Sequence, residues 1–390
     1  MNFKKLLAIL LCLCLVFALL AGCTKDSEDD DDNGNDDDIP SNGDVTNGSG
    51  VFDADAAFAT FSPDTVMISA GDITITWAEL YIFLFGAVAD YSQDFFIPIN
   101  WDEELFDDKT ISDLILELAT NEALQVLVFE HAAMLNGVSL SESDLAMFDD
   151  ELASMLEFYG SKEEMEQEMF ELYGIPSIDI FMRIMKAFYL YEVLLSELFG
   201  FGGEKLSDAD AAAYAEQQGF MRVKHILIMK SDEDDDDDDR DPLAEAEEVL
   251  EMLDDFINDL TDEYRGTLEE FFTELMLDYS KDPGSIMSPE GYLFRFEDMV
   301  EPFSEASADL KIGEISGLVE TVYGYHIILR LPIDYDMVPM AYAIESYNIP
   351  LRMIAAYELF GELLETWREE LEYEFSPEYK SIVLSDIFAW

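Results

Sequence analysis

The spacing of apolar residues predicts a chain that is mainly helical and is interrupted by strands in two places. Apolar side chains recur every three or four positions over long stretches, which is the spacing of a helix with one buried face. Asn136-Gly137 is typical of a helix end, and Ser207 is typical of a helix cap. The pattern predicts helices over Ile111–Leu135, Ser143–Tyr159, Lys162–Tyr173, Ser177–Phe199, Ser207–Gln217 and Leu351–Leu371.

Alternation of apolar and polar residues predicts the strands. Residues 65–75 have the pattern of a short hairpin that turns at Gly71-Asp72, and Thr76 is placed to cap the helix that follows. Val223–Ile228 and Gly324–Leu329 alternate in the same way, and each carries one of the chain's three histidines. The sequence therefore predicts an α+β protein in which a helical region precedes a smaller segment bounded by two strands.

The first residues have the composition of a bacterial export signal. Lys4 and Lys5 precede an apolar run that ends in Leu20-Ala21-Gly22-Cys23. At about fifteen residues the run is too short to span a bilayer comfortably. A cysteine directly after small residues resembles a lipobox, which predicts a lipoprotein signal peptide over residues 1–22 and lipidation of Cys23. Lipidation of Cys23 would anchor the mature chain to the extracytoplasmic face of a bacterial cell membrane. The alternative is an ordinary signal peptide with a chance cysteine.

Composition limits the class of protein further. Residues 23–62 are rich in Asp, Asn, Gly and Ser, which predicts a disordered acidic tether. The whole chain has 20 Lys and Arg against 87 Asp and Glu, a formal net charge of -67. Nucleic acid is excluded as a partner because phosphate binding needs the opposite charge. The whole chain is 49% hydrophobic, so the part outside the tether can still build cores, and its length predicts two domains.

Four short strings lie between the two strands that carry His225 and His326. In order they are Tyr279-Ser280-Lys281-Asp282, Gly291-Tyr292-Leu293-Phe294, Met299-Val300-Glu301-Pro302-Phe303 and Gly313-Glu314-Ile315-Ser316. Together with the two histidine strands, they resemble the parvulin family of peptidyl-prolyl isomerases. The resemblance implies a parvulin domain over residues 221–333, with a small antiparallel sheet surrounded by helices.

The predicted hairpin and helices before this segment include the strings Gly71-Asp72-Ile73-Thr74 and Tyr173-Gly174-Ile175. With these strings they resemble the N-terminal chaperone domain of extracytoplasmic foldases of the PrsA and SurA kind. It implies a helical N-terminal domain over residues 63–220 and a C-terminal helical segment, residues 334–390, that packs back onto it. A solute-binding lipoprotein is the competing class, but it requires strands that alternate with helices, whereas residues 77–217 predict almost only helices.

The parvulin resemblance also implies which residues carry the chemistry. Asp282 occupies the position that holds cysteine or aspartate across the family, here in what looks like an exposed loop. Two strand histidines orient it, and two hydroxyls complete the polar set. The residues implied for catalysis are His225, Asp282, His326, Tyr323 and Thr321, and those implied for the proline pocket are Met299, Phe303 and Phe294. The alternative interpretation is that the histidines are structural and the apolar residues are ordinary core.

No cofactor or metal is predicted. The acidic run Asp232–Asp239 lacks the glycine at the sixth position and the glutamate at the twelfth position that a calcium-binding EF-hand loop requires. We expect this loop to repel phosphoserine ahead of proline, because a dianion beside several carboxylates finds no compensating cation. Plain or basic X-Pro segments are therefore the expected substrates.

The resemblance implies a peptidyl-prolyl isomerase and chaperone that assists folding of secreted proteins outside the cytoplasmic membrane. Its expected partners are unfolded or newly secreted proteins that contain X-Pro bonds. Pro289-Glu290 and Phe296-Glu297 stand where the family usually has glycines. These departures leave open a non-catalytic holdase with a degenerate parvulin domain, and the sequence also leaves open whether the chain forms a homodimer.

Overall fold

The computed structural model describes residues 53–92, 98–105, 109–230, 241–259, 268–344 and 348–389. The chain divides into two compact units: the first runs to Leu194 and resumes at Leu363, and the second is Leu195–Glu362. The predicted signal peptide, Cys23, most of the predicted tether and the acidic loop Asp232–Asp239 lie outside the described residues.

The architecture combines helices with two small antiparallel sheets, as the α+β prediction requires. Each predicted helix is present, and its ends agree with the prediction to within the usual uncertainty of helix ends. No helix in the described ranges has the length and apolar character needed to cross a membrane. In chain order the elements are α1 (Ala54–Phe58), β1 (Val66–Ala70), β2 (Ile73–Thr76), α2 (Trp77–Ser92), α3 (Ile111–Asn136), α4 (Glu142–Tyr159), α5 (Lys162–Tyr173), α6 (Ile178–Leu198), α7 (Asp208–Gln217), β3 (Met221–Met229), α8 (Pro242–Asp259), α9 (Leu268–Tyr279), α10 (Pro283–Met287), β4 (Tyr292–Phe294), a 3₁₀ turn (Phe296–Asp298), α11 (Glu301–Asp309), β5 (Val319–Glu320), β6 (Gly324–Leu331), α12 (Met340–Ile344), α13 (Leu351–Glu370), β7 (Glu374–Phe375), a second 3₁₀ turn (Tyr379–Ser381) and α14 (Leu384–Ile387).

Local capping explains where the long helices of the first unit begin and end. Thr110 and Asp113 form a capping box at the start of α3, and Gly137, with a φ of 64°, ends that helix in the left-handed conformation. The Arg183 guanidinium on α6 donates to the carboxylates of Glu79 on α2 and Glu130 on α3. One partly buried cation thus links three helices.

The end of the predicted tether is folded, so the prediction of disorder up to residue 62 is wrong for its last residues. Helix α1 lies there, and the backbone oxygens of Ala54 and Phe58 accept hydrogen bonds from Tyr81 Oη and Trp77 Nε1. Phe61 packs edge-on against the Trp77 ring, with the ring centroids 5.1 Å apart. These aromatic contacts supply the buried apolar surface that the polar composition of the tether did not reveal.

The predicted hairpin forms part of a three-stranded sheet with the order β2-β1-β7. Gly71 provides the turn between β1 and β2 with a φ of 59°, and β7 pairs with β1 through Ile68 and Phe375. The sheet therefore joins the two ends of the described chain within the first unit. Strand β7 and helix α14 were not predicted, because each is too short to show a periodic pattern.

The second unit contains an antiparallel sheet with the order β4-β3-β6-β5. Strands β3 and β6 pair along their whole length and lie at its centre. One face, with Ile226, Ile327 and Leu329, packs against α8 and α9. The other face, with Val223 and Ile328, packs against α11. The central strands are thus covered on both faces, as their apolar sequences require.

The second unit is larger than the predicted segment 221–333. Phe220 and Leu293 share one core cluster with Ala211 on α7 and with Leu351 and Ile354 on α13. This cluster explains why the compact unit begins in α6 and ends within α13.

Candidate active site

The two central strands bring His225 and His326 together on the face that packs against α11. Leu227 pairs with His326, and His225 pairs with Ile328, so both histidines point to the same side of the sheet. Their ring centroids lie 5.3 Å apart, and both side chains are buried. The sheet register alone therefore places two imidazoles in contact.

Asp282 lies against this histidine pair and is not in an exposed loop as predicted. Its side chain is 21% exposed, and its Oδ2 atom lies 3.2 Å from His225 Nε2. Its Oδ1 atom accepts a 3.1 Å hydrogen bond from the Gly284 amide, which makes Asp282 the N-cap of α10. The prediction failed because the cap and the contact with β3 both draw the carboxylate inward.

Two further donors surround the same carboxylate oxygen. The Tyr292 hydroxyl on β4 and the Ser285 hydroxyl on α10 both donate to Asp282 Oδ2, the latter at 3.1 Å. Neither residue was predicted for the site. Alternation in the string Gly291-Tyr292-Leu293-Phe294 could have placed Tyr292 on the same face as Phe294, but sequence pattern does not show which strand lies beside Asp282.

The electrostatics of the site favour an ionised aspartate and a neutral histidine. Burial acts to raise the pKa of Asp282, but the hydrogen bonds from His225 and Tyr292 outweigh it and hold that pKa well below its usual range. Burial, reinforced by the nearby His225, lowers the pKa of His326 to about 4. At neutral pH the site therefore combines one carboxylate charge with an uncharged His326 imidazole.

Thr321 and Tyr323 lie at the loop between β5 and β6. Thr321 Oγ1 is 2.8 Å from His326 Nε2, and the Tyr323 amide donates to the same Thr321 oxygen at 3.1 Å. Within the described part of the chain, His326 Nδ1 is buried without a hydrogen-bond partner. The Tyr323 side chain is 57% exposed, so the structure brings Thr321 into the histidine set through its hydroxyl and Tyr323 through its backbone.

The predicted proline-binding residues surround the histidines from the α11 side. The Phe303 ring packs edge-on against both imidazoles, with centroid separations of 5.1 Å to His225 and 5.3 Å to His326. Phe294 is fully buried behind Phe303, and the partly buried Met299 lies at the margin of the same cluster. Met299 precedes the helix rather than sharing a turn with Phe303, because Val300 is the N-cap of α11.

This arrangement is suited to binding an apolar ring and acting electrostatically on an amide attached to it. Within the described ranges, no group of three or more His, Cys, Asp and Glu side chains could hold a metal ion. An anionic carboxylate, a neutral imidazole and a hydroxyl meet beside an aromatic wall. Such a site can bind an apolar ring and act electrostatically on the polar group attached to it.

Comparison with models of known protein families identifies the domain that contains this site. Residues 225–331 match the family model of the PPIC-type PPIase domain, or rotamase. These residues form a parvulin domain. The matched segment includes both histidines, Asp282, Thr321 and the aromatic wall, so every element of the site lies within the parvulin domain.

Curated relatives of the chain are bacterial foldases. The chain is 51% identical over 61 residues to the foldase protein PrsA of Geobacillus kaustophilus, covering 15% of this chain and 21% of that protein. It is 27% identical over 232 residues to the foldase protein PrsA of Halalkalibacterium halodurans, covering 57% and 60%. The chain thus spans less than two thirds of the length of these relatives.

Among solved structures, the chain is similar to PrsA from Bacillus subtilis with 18% sequence identity and a TM-score of 0.22, over 84% of this chain and all of that one. It also matches PrsA from Bacillus cereus with 19% identity and a TM-score of 0.27, over 74% of this chain and 95% of that one.

Proposed function

We propose that this chain is a parvulin-type peptidyl-prolyl cis-trans isomerase and chaperone. Its substrates are X-Pro bonds in unfolded or newly secreted proteins outside the cytoplasmic membrane, and its helical unit holds the client chain. The proposal rests on one observation: the Asp282 carboxylate lies 3.2 Å from the buried His225, whose ring contacts both His326 and Phe303.

The chemistry follows from the origin of the rotation barrier. Conjugation across the amide C–N bond produces a barrier of roughly 18 to 20 kcal/mol, and twisting the bond removes that conjugation. In the planar form the carbonyl oxygen carries partial negative charge, so a carboxylate beside it disfavours the planar amide relative to the twisted one. The proline ring packs against Phe303 and Met299 in both forms, so this contact contributes to substrate binding, whereas the carboxylate changes the energy difference between the two forms and so contributes to kcat.

No covalent nucleophile is required by this mechanism. The neutral His326 and the hydroxyl of Thr321 form one hydrogen-bonded pair, and His225 with Asp282 forms another. We assign the histidines the role of fixing the carboxylate and the apolar wall relative to each other. Direct proton transfer is unnecessary because rotation about the X-Pro bond neither breaks nor forms a covalent bond.

The proposal includes a location. The N-terminal export signal and the cysteine that follows it support lipidation at Cys23 and attachment to the extracytoplasmic face of the membrane. A lipid anchor at Cys23 with an acidic tether would keep the folded units near emerging secreted chains. Metabolic labelling with a fatty-acid analogue tests this part, with Cys23→Ser as the variant that should lose the label.

A protease-coupled isomerase assay on the chain from Val51 onward tests the activity. Asp282→Asn should lower kcat/KM at least tenfold, equivalent to about 1.4 kcal/mol of barrier, because the amide keeps the cap but loses the charge. Asp210→Asn is the matched control, since the Asp210 carboxylate also lies in the first turn of a helix, where it accepts a hydrogen bond from the N-cap residue Ser207 away from the site. Equal activity in both variants would contradict the assigned role, and no turnover in the parent would favour the holdase alternative.

A further inference from the structure

Tyr292 makes a contact at the centre of the site that no feature of the mechanism above uses. It lies on the edge strand β4, where it pairs with Val223 of β3. Its ring centroid is 5.3 Å from that of His225, and its hydroxyl donates to Asp282 Oδ2. The phenol therefore touches two members of the site at once.

The Tyr292 hydroxyl packs tightly against the backbone at Gly284. A Cβ atom added at Gly284 would lie 1.8 Å from Tyr292 Oη and 2.9 Å from Tyr292 Cζ. The backbone of Gly284 does not lie in the left-handed region that favours glycine. Glycine is therefore required here by the neighbouring hydroxyl rather than by the conformation of α10.

The hydroxyl matters because one carboxylate oxygen carries most of the contacts. Asp282 Oδ2 has donors on three elements, His225 on β3, Tyr292 on β4 and Ser285 on α10. The titratable groups that face the carboxylate are His225, Tyr292 and, from β6, His326. Rotation about the last side-chain torsion of an aspartate is soft, so its orientation depends on such donors.

We infer that Tyr292 is a positioning residue of the isomerase site, which holds the Asp282 carboxylate oriented beside the substrate amide. The inference rests on the proposed function. Tyr292 acts through Asp282, whereas the apolar wall around Phe303 binds the proline ring. Loss of the hydroxyl should therefore lower kcat while leaving KM unchanged, a split that a general loss of packing would not produce.

The first test replaces the hydroxyl and keeps the ring. In the full-length chain, Tyr292→Phe should lower kcat for an Ala-Pro peptide about tenfold, with KM and the melting temperature close to those of the parent. Tyr325→Phe is the matched control, because Tyr325 lies on β6 and packs against the opposite face of the same sheet. Equal kcat values for the parent and Tyr292→Phe would overturn the inference.

A second test examines the contact between Gly284 and Tyr292. Gly284→Ala should lower kcat in the parent, and it should cause little further loss in a Tyr292→Ala background, where the obstructing ring is absent. Tyr292→Phe is unsuitable for this cycle because its ring carbon would still lie too close to the added Cβ. Additive losses from Gly284→Ala and Tyr292→Ala would overturn the assignment of the contact.

The outcomes separate this inference from the proposed function. If the parent does not turn over proline peptides, both the isomerase proposal and the positioning role are overturned. If the parent is active and Tyr292→Phe matches it, only the positioning role is overturned.

Discussion

His326 should make the stability of the protein depend on pH in a way that one substitution removes. Its pKa is lowered to about 4 by burial and by His225, whereas the pKa of an unfolded histidine is about 6.5. Between these values the unfolded chain binds more protons than the folded chain. The contribution of His326 is therefore fully present above pH 6.5 and is lost as pH falls towards 4.

The expected size follows from these two pKa values. Integrating proton binding from pH 7 to pH 5 gives a loss of about 2 kcal/mol in the free energy of unfolding from His326. His326→Gln keeps a polar side chain beside Thr321 but cannot ionise, so its stability should fall by about 2 kcal/mol less over the same interval. The interval stays above the sequence pI of about 4.1, where a protein of this composition loses its net charge.

Urea unfolding monitored by tryptophan fluorescence at pH 7, 6 and 5 measures this difference. His131→Gln is the control, because His131 lies partly exposed on α3 outside the site. The control should follow the parent at every pH. Parallel pH dependences for the parent and His326→Gln would refute the account of a buried neutral histidine.

Three further predictions concern stability and selectivity. Besides its effect on activity, Asp282→Ala should lower the free energy of unfolding by about 3 kcal/mol, because it removes the α10 cap and leaves His225 and Tyr292 without their acceptor. Denaturation of Asp282→Ala beside Asp282→Asn measures this difference, and equal stabilities would contradict it. The fragment 195–362 should be more stable than the fragment 221–333, because only the longer one keeps Ala211 and Leu351, which share a core cluster with Leu293. Amide dispersion and urea midpoints compare the two fragments, and an equal midpoint would refute the role of that cluster. Phosphoserine-Pro peptides should have a lower kcat/KM than matched Ala-Pro and Lys-Pro peptides at both low and high salt, because the run Asp232–Asp239 repels a dianion. A higher kcat/KM for the phosphopeptide would overturn that interpretation.

Much of the fold was predictable because its signals are local. Helical spacing set the bounds of α3 and α6, and alternation set the two central strands together with their histidines. Short elements were not predictable in this way. Helix α1 and strand β7 exist because Trp77, Tyr81 and Ile68 offer them a surface, and such contacts join residues that are distant in sequence.

The site also combines residues that could be predicted from the sequence with contacts that could not. The resemblance to parvulins selected His225, Asp282, His326 and Thr321, which the structure brings into contact. It did not reveal that Asp282 is a helix cap or that Tyr292 reaches it. Both facts depend on how β4 and α10 approach each other, and a sequence pattern states which face a side chain takes but not which neighbour it meets.

Exchange spectroscopy by NMR on an Ala-Pro peptide, with the chain from Val51 onward, tests most directly whether this domain is an isomerase. Uncatalysed exchange takes tens to hundreds of seconds, so it gives no cross-peaks between the cis and trans signals on the mixing times of this experiment. The account predicts cross-peaks that grow in proportion to protein concentration and fall at least tenfold in Asp282→Asn. Absence of cross-peaks with a parent chain that unfolds cooperatively would contradict the claim that this parvulin domain is an isomerase.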